Sequence, residues 1–299
     1  GEALMNTYPR LPGLPGLSEA VLQSVFGRVN YDYKGKYLLE ANLRYDGTSR
    51  VSPDYRWGLF PSVSAGWLIS REDFLRNNKW ISNLKLRASY GTLGNQDIGN
   101  YPYQNVLALN VSYPFGNTTP VSGAVLNNFR DQSIRWESTR IIDIGIDLDI
   151  YRGLFGLTVD WFRKNTFDIL STIPVPASLG LGGPTANNGK MHSQGIEIDV
   201  RHENRIGEVD YGLNAYFSSA KNKVDQIITP SFGSSIRQKG YEYDGHYLYI
   251  WDGIFQEEEI ANGGFPVQTP TPRAGDIKIK DVNRDNRIDG NDRVFVKGA

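Results

Sequence analysis

The chain has no cysteine, two methionines and three histidines among its 299 residues. It also has no apolar run long enough to cross a membrane as a helix, which takes ~18 or more residues. Each absence excludes something. Without cysteine there are no disulfides and no thiolate metal sites. His192, His202 and His246 are scattered, with no second ligand at helical or strand spacing, so no imidazole metal centre is expected. Any passage through a membrane would have to be made by strands closed into a barrel, because lipid leaves an open strand edge unsatisfied. Charge of one sign is missing too: 32 Lys and Arg stand against 33 Asp and Glu. Nucleic-acid binders set a basic patch against phosphate, so no nucleic-acid partner is expected. Catalytic signatures are equally scarce. Gly180-Leu-Gly-Gly-Pro184 fails as a phosphate loop, since its third glycine falls too early and proline stands where a helix should open. No Gly-x-Ser-x-Gly elbow occurs, and no enzyme is expected.

What the chain has is alternation. In Val25–Tyr33, Val25, Val29, Tyr31 and Tyr33 share one parity and Arg28, Asn30 and Asp32 the other. The phase resumes past the tight Lys34-Gly35-Lys36 turn, with Leu39, Ala41, Leu43 and Tyr45 against Glu40, Asn42, Arg44 and Asp46. Side chains in a strand alternate faces, so both strands put one apolar and one charged face on the same two sides of a sheet. Six more strands repeat the pattern, over 56–69, 84–90, 136–150, 155–161, 196–201 and 209–218. Pro61, in the third, predicts a bulge or bend. The eight strands alternate with connections read as short, long, short, long, short, long, short. Residues 1–24, rich in Pro and Gly and briefly helix-compatible at Ser18–Gln23, read as a connector entered in mid-protein, with no signal peptide or lipidation motif. Residues 25–222 form the strands with long loops at 93–135 and 165–190. From 223 to 299 the pattern weakens into a loop region.

A soluble sandwich also alternates, and periodicity alone favours it. Three features point the other way. The strands run ~10 residues or more where ~5–6 is usual, and a tilted membrane strand takes ~9–11. Long connections at one end and turns at the other are the habit of outer-membrane barrels. Tyr33, Tyr37, Tyr45, Trp57, Trp67, Tyr90 and Trp136 lie near strand ends, where an interfacial girdle belongs. The resulting expectation is all-β: an antiparallel transmembrane β-barrel segment whose apolar face meets outer-membrane lipid. The alternative, from another functional class, is a soluble or surface-attached β-rich binding or adhesion protein.

Several runs also resemble the barrel of SusC/RagA-type TonB-dependent outer-membrane transporters. These are the run from Gly27 to Arg50, Arg56–Trp67, Leu84–Gly91 with Gly94-Asn95, Ser193–Ile198, Asp252–Gln256, and the acidic run from Gly275 to Asp289, in the family's order. The resemblance implies a barrel of about 22 strands around an N-terminal plug. It also implies the outer membrane of a Gram-negative bacterium, energy supplied through the TonB complex, a SusD-like surface lipoprotein as partner, and oligosaccharides or peptides as substrates. No TonB box, plug or carboxypeptidase-like extension is recognisable in this chain, and eight strands are too few for so wide a barrel.

Two stretches carry candidate chemistry. Counting Asp281 as position 1, Asp281, Asn283, Asp285, Asp289 and Asp292 place oxygens at 1, 3, 5, 9 and 12, with Arg287 at 7 and Ile288 at 8. That is the spacing of an EF-hand-type calcium loop. Asn286 stands where glycine is usual, Asp292 replaces the chelating Glu, and Arg284, Arg287 and Arg293 offer charge compensation without metal. A solvated turn held by Asx hydrogen bonds therefore competes with Ca2+, and no cofactor is required. The second stretch holds Tyr241, Tyr243, Tyr247, Tyr249 and Trp251 beside carboxylates. Aromatic faces with polar neighbours suit sugar rings or peptide side chains, and packing beneath a loop would explain any one of them singly.

Overall fold

The computed structural model describes residues 19–105, 107–114, 120–126 and 128–297. Residues 1–18, most of the expected connector, lie outside the described residues. The end of that connector is already strand, because β1 (Leu22–Tyr33) starts before Val25. There follow β2 (Tyr37–Thr48), β3 (Trp57–Leu68) and β4 (Ile81–Asn95). A hairpin of β5 (Leu107–Pro114) and β6 (Pro120–Leu126) comes next, then β7 (Glu137–Ile150) and β8 (Phe155–Phe167). The short β9 (Leu170–Thr172) and β10 (Thr185–Asn187) pair with each other before β11 (Gly189–Ile206) and β12 (Val209–Ile227).

The eight long strands form one antiparallel sheet in the order β1-β2-β3-β4-β7-β8-β11-β12. Its register is continuous: Tyr31, Leu39, Ala65, Ala88, Ile144, Trp161 and Ile196 form a single row across seven strands. All seven have the apolar parity, so the faces stay sorted from strand to strand. A slip of one residue would invert this. The apolar face is bare: Val29 is 69% exposed, Leu43 51% and Ile144 46%. No second layer covers it among the described residues.

Turn chemistry sets one end. Lys34 and Gly35 both take positive φ (58° and 63°), and the Lys36 amide donates to the Tyr33 carbonyl at 3.1 Å, the primed turn that suits a two-residue hairpin. At the next such turn Tyr151, Arg152 and Gly153 all have positive φ. The last turn falls at Gly207 (φ 64°) rather than near Asn204, because glycine takes the left-handed conformation without Cβ strain. At the opposite end lies a small core of Val51, Phe60, Tyr103, Ile134 and Trp136, with Ile98, Tyr101 and Leu170 packed against it. Phe60 belongs to the polar parity. Its ring lies across Gly58 and Gly94, two positions where any Cβ would collide with it.

Three expectations need correction. Pro61 makes no bulge: it pairs in register with Leu43, and the ladder to β4 begins only at Ser62. The ladder to β4 therefore never calls on the donor that proline lacks. The 69–80 connection, read as short, is longer than the 49–56 loop and carries a 3-10 turn at Ile69–Arg71. The 93–135 stretch, read as a long loop, also holds strands, since β4 extends into it and β5 and β6 pair within it.

Residues 223–299 form a second compact unit. It contains β13 (Ser231–Phe232), β14 (Ser235–Arg237), β15 (Gly245–Tyr249), β16 (Trp251–Ile254), a short helix α1 (Glu257–Asn262), β17 (Ile277–Ile279) and β18 (Arg293–Phe295). Val224, Ile236 and Phe255 are its buried apolar side chains. The region read as loop therefore has strands and buried apolar side chains of its own.

Candidate functional site

The polar parity of the long sheet is a lattice of charges whose partners come from neighbouring strands. Arg87 on β4 forks onto Asp147 of β7 (2.8 and 2.9 Å) and also reaches Asp160 of β8 (2.8 Å). The bidentate geometry uses the planar guanidinium as a lysine could not. Gly145 makes room for the cluster, since a Cβ there would strike both Arg87 and Asp160. Arg201 on β11 reaches Asp149 of β7 at 3.0 Å. On the other side Arg28 meets Glu40 at 2.6 Å, and the Asn42 amide links Glu40 to Ser62. Arg44 donates to Asp46 and to Ser24. A groove of about 490 Å³ opens on this face over Asn30, Glu40, Ser64, Lys85, Arg87 and Asp143. These charges are partly wet, which is the state in which ion pairs contribute little to stability but present a polar wall.

The loop end is tied by one side chain. The Asn187 amide donates to the carbonyls of Arg135 and Asp168 (2.9 and 2.8 Å), and its oxygen accepts from the Arg135 amide. At the turn end Glu72, outside the strands, accepts from Lys36 (2.9 Å), the Tyr37 hydroxyl (2.7 Å) and the Trp67 indole (3.1 Å). These donors, the Lys36 ammonium first, hold its carboxyl down to about 2. The girdle aromatics pair accordingly, Tyr37 on Trp67 at one end and Tyr45 on Trp57 at the other. Sequence reasoning missed the Glu72 knot, because its acid lies 35 residues from Tyr37. It also missed the Arg87 cluster, whose register only the folded sheet reveals.

In the second unit, the five aromatic candidates lie on β15, at the start of β16 and in the turn before them, each against its own partner. Tyr241 packs edge-on to Phe295, the Arg237 guanidinium sits 4.9 Å over Tyr243, and Arg293 sits 4.8 Å over Tyr249. Tyr247 faces Phe232 at 6.3 Å. Trp251 is 67% exposed, with its indole N–H donating to the Gly253 carbonyl. They are neighbours in the fold and do not merge into one flat platform.

The 281–292 loop closes on itself. The Asp281 carboxylate accepts from the amides of Arg284 and Asn286 (2.6 and 2.8 Å), Asn283 from that of Asp285, Asp285 from that of Arg287, and Asp289 from that of Asn291. Asn286 takes φ 64°, supplying the left-handed residue in glycine's place. Asp292 is fully buried and accepts from Val282 and Asp289. Burial opposes its charge, but the amides of Asp289, Val282 and Asn283 outweigh it and hold the carboxyl below the usual range. Among the described residues, no three His, Asp or Glu side chains converge closely enough to hold a metal ion.

The model of the TonB-dependent receptor-like β-barrel family matches residues 7–271. The chain belongs to that family. TonB-dependent receptor SusC of Bacteroides thetaiotaomicron is 34% identical over 303 residues, covering 92% of this chain and 28% of that protein. TonB-dependent receptor P3 of Formosa agariphila is 29% identical over 295 residues, covering 94% and 29%. Among solved structures, the RagAB peptide importer in its closed-closed state superposes with a TM-score of 0.76 at 21% identity, covering 94% of this chain and 30% of that one. The chain thus spans under a third of the length of the relatives it matches. Family membership explains the bare apolar face. The sheet is transmembrane barrel wall, with its apolar parity toward lipid and its charged parity toward the interior. It also removes the soluble binding-protein alternative, and the family is one of receptors rather than enzymes.

Proposed function

We propose that this chain is the barrel portion of a SusC-like transporter in the outer membrane of a Gram-negative bacterium. In this reading it imports oligosaccharides or peptides with energy delivered through TonB, alongside a SusD-like surface lipoprotein. The observation that carries the reading is the two-faced wall, bare apolar residues outside and an Arg87-centred ion lattice inside, with the two longest connections, 96–136 and 168–188, at one end. Its edge strands β1 and β12 pair with further strands of a wider barrel, and the plug and TonB box lie in parts of the protein other than these residues. Unit 223–299 faces the cell exterior and meets substrate through Trp251 with Tyr247 and Tyr249, while Tyr241 and Tyr243 support them. Growth of a strain carrying the full-length gene on oligosaccharides or on peptides as sole carbon source tests this. Uptake should vanish when TonB is inactivated, and uptake indifferent to TonB would refute it.

For the 281–292 loop we propose a turn held by its own amide–carboxylate bonds, with no cation required. The seven hydrogen bonds given above, six of them to carboxylates, support it. Calorimetric titration with millimolar calcium should give no binding heat. Binding there would reinstate the loop as a calcium site ligated by Asp281, Asn283, Asp285, the Arg287 carbonyl, Asp289 and Asp292.

A further inference from the structure

The lipid-facing row contains a dent. Ala65 and Ala88 sit side by side in it, between Leu39 on one flank and Ile144 on the other. The adjacent rows rise around them, with Trp67 and Leu86 paired below and Val63 and Tyr90 paired above. The result is a groove of about 390 Å³ walled by Tyr31, Tyr37, Leu39, Trp67 and Leu86. This is at the small end of ligand pockets, which run about 300–1,000 Å³. Its aromatic walls are fixed in place. Tyr37 and Trp67 stack with their planes 13° apart, and Glu72 holds the hydroxyl of one and the indole N–H of the other. Both rings therefore have their polar atoms already satisfied, and the groove opens on the lipid-facing side of the sheet.

The rim beyond Trp67 and Tyr37 is basic. Lys36 neutralises Glu72 and reaches Asp73 at 4.0 Å, which leaves Lys34 of the turn and Arg71, Arg76 and Lys79 of the 69–80 connection against Asp73 and Asp32, the latter bound to the Gly35 amide. The Lys34 ammonium lies 5.2 Å over Tyr33, on the apolar parity, and Arg71 is pinned to the Gly35 carbonyl at 2.8 Å. Phe74, 73% exposed, and Trp80, 61% exposed, flank these cations. Basic side chains beside interfacial aromatics attract anionic headgroups.

We propose that the Ala65–Ala88 groove binds an acyl chain of an anionic phospholipid whose headgroup rests on the Lys34, Arg76 and Lys79 rim. The proposal rests on the membrane-barrel reading above. It makes this patch a lipid site, where the rest of the wall meets exchanging solvent lipid.

The test uses the full-length receptor in phosphatidylcholine vesicles and the fluorescence of Trp67, taken as the difference between the parent and Trp67→Phe. Phosphatidylglycerol with brominated acyl chains is titrated in, and brominated phosphatidylcholine serves as the comparison. Quenching by the anionic lipid should saturate at low mole fraction, whereas quenching by the zwitterionic lipid rises in proportion to its amount. Ala65→Leu with Ala88→Leu fills the dent and should abolish the saturable component. Lys34→Gln with Arg76→Gln and Lys79→Gln, which removes the rim's positive charge and leaves the dent unfilled, should make the two lipids indistinguishable. Proportional quenching by both lipids in the parent would overturn the site and leave the barrel standing. No quenching by either lipid would overturn the barrel reading and the site with it.

Discussion

Glu72 illustrates how much one side chain can organise at a barrel rim. It joins the first turn to the third strand through Lys36, Tyr37 and Trp67, and its carboxyl is held at about 2 against an ordinary 4.5. The unfolded carboxylate takes up its proton first as pH falls, so the unfolded state binds more protons between those values. The stabilisation is complete above pH 4.5 and disappears as pH drops through 2. Glu72→Gln should therefore flatten the loss of stability over that window, measured as thermal unfolding of the parent and variant at each pH. Identical profiles would show that the knot contributes nothing. Gly94 makes a second residue-scale case. Its backbone φ is unremarkable, and its requirement is space for the Phe60 ring. Gly94→Ala should destabilise by about 1–3 kcal/mol through overpacking, read as a lowered unfolding temperature, and Phe60→Leu in the same chain should relieve it.

Among the elements, the wall strands were the most legible from sequence, because a period of two with one apolar parity is a local signal that needs no knowledge of partners. Val29, Leu43, Ile144 and Ile196 announced their face from their own neighbours. The features that escaped depend on distant residues. Pro61 predicted a bulge because its consequence rests on where the β3–β4 ladder starts, and Arg87 could not be assigned Asp147 and Asp160 without the register. The β5–β6 hairpin was hidden by its glycines, prolines and polar residues. The candidate sites were legible as residue types only: the 241–251 aromatics are neighbours, yet the sequence could not show that Arg237 and Arg293 lie over two of them. The face assignment itself predicts that Ala41→Arg, midway between the Tyr37 and Tyr45 girdles, costs ~2–4 kcal/mol near the bilayer midplane and blocks assembly, while Asn42→Arg on the opposite face is tolerated. Heat-modifiable mobility of each variant in membrane fractions decides between them, and equal behaviour would invalidate the register.

For the whole molecule, the central claim is that one parity of this sheet faces lipid and the other the barrel interior. Interior charges joined across β4, β7, β8 and β11, the two longest connections at a single end and aromatic pairs at both ends are consequences of that one division. The most direct measurement is a spin-label scan of positions 142 to 148 on β7 in the full-length receptor reconstituted in lipid, one label per variant. Oxygen, which concentrates in the bilayer, should relax labels most at Ile142, Ile144, Ile146 and Leu148. A water-soluble nickel chelate should reach those at 143 and 147, with Gly145, where a Cβ has no room, left unlabelled. Two accessibility profiles of period two and opposite phase are the predicted result. Profiles in phase, or without the period, would contradict the account.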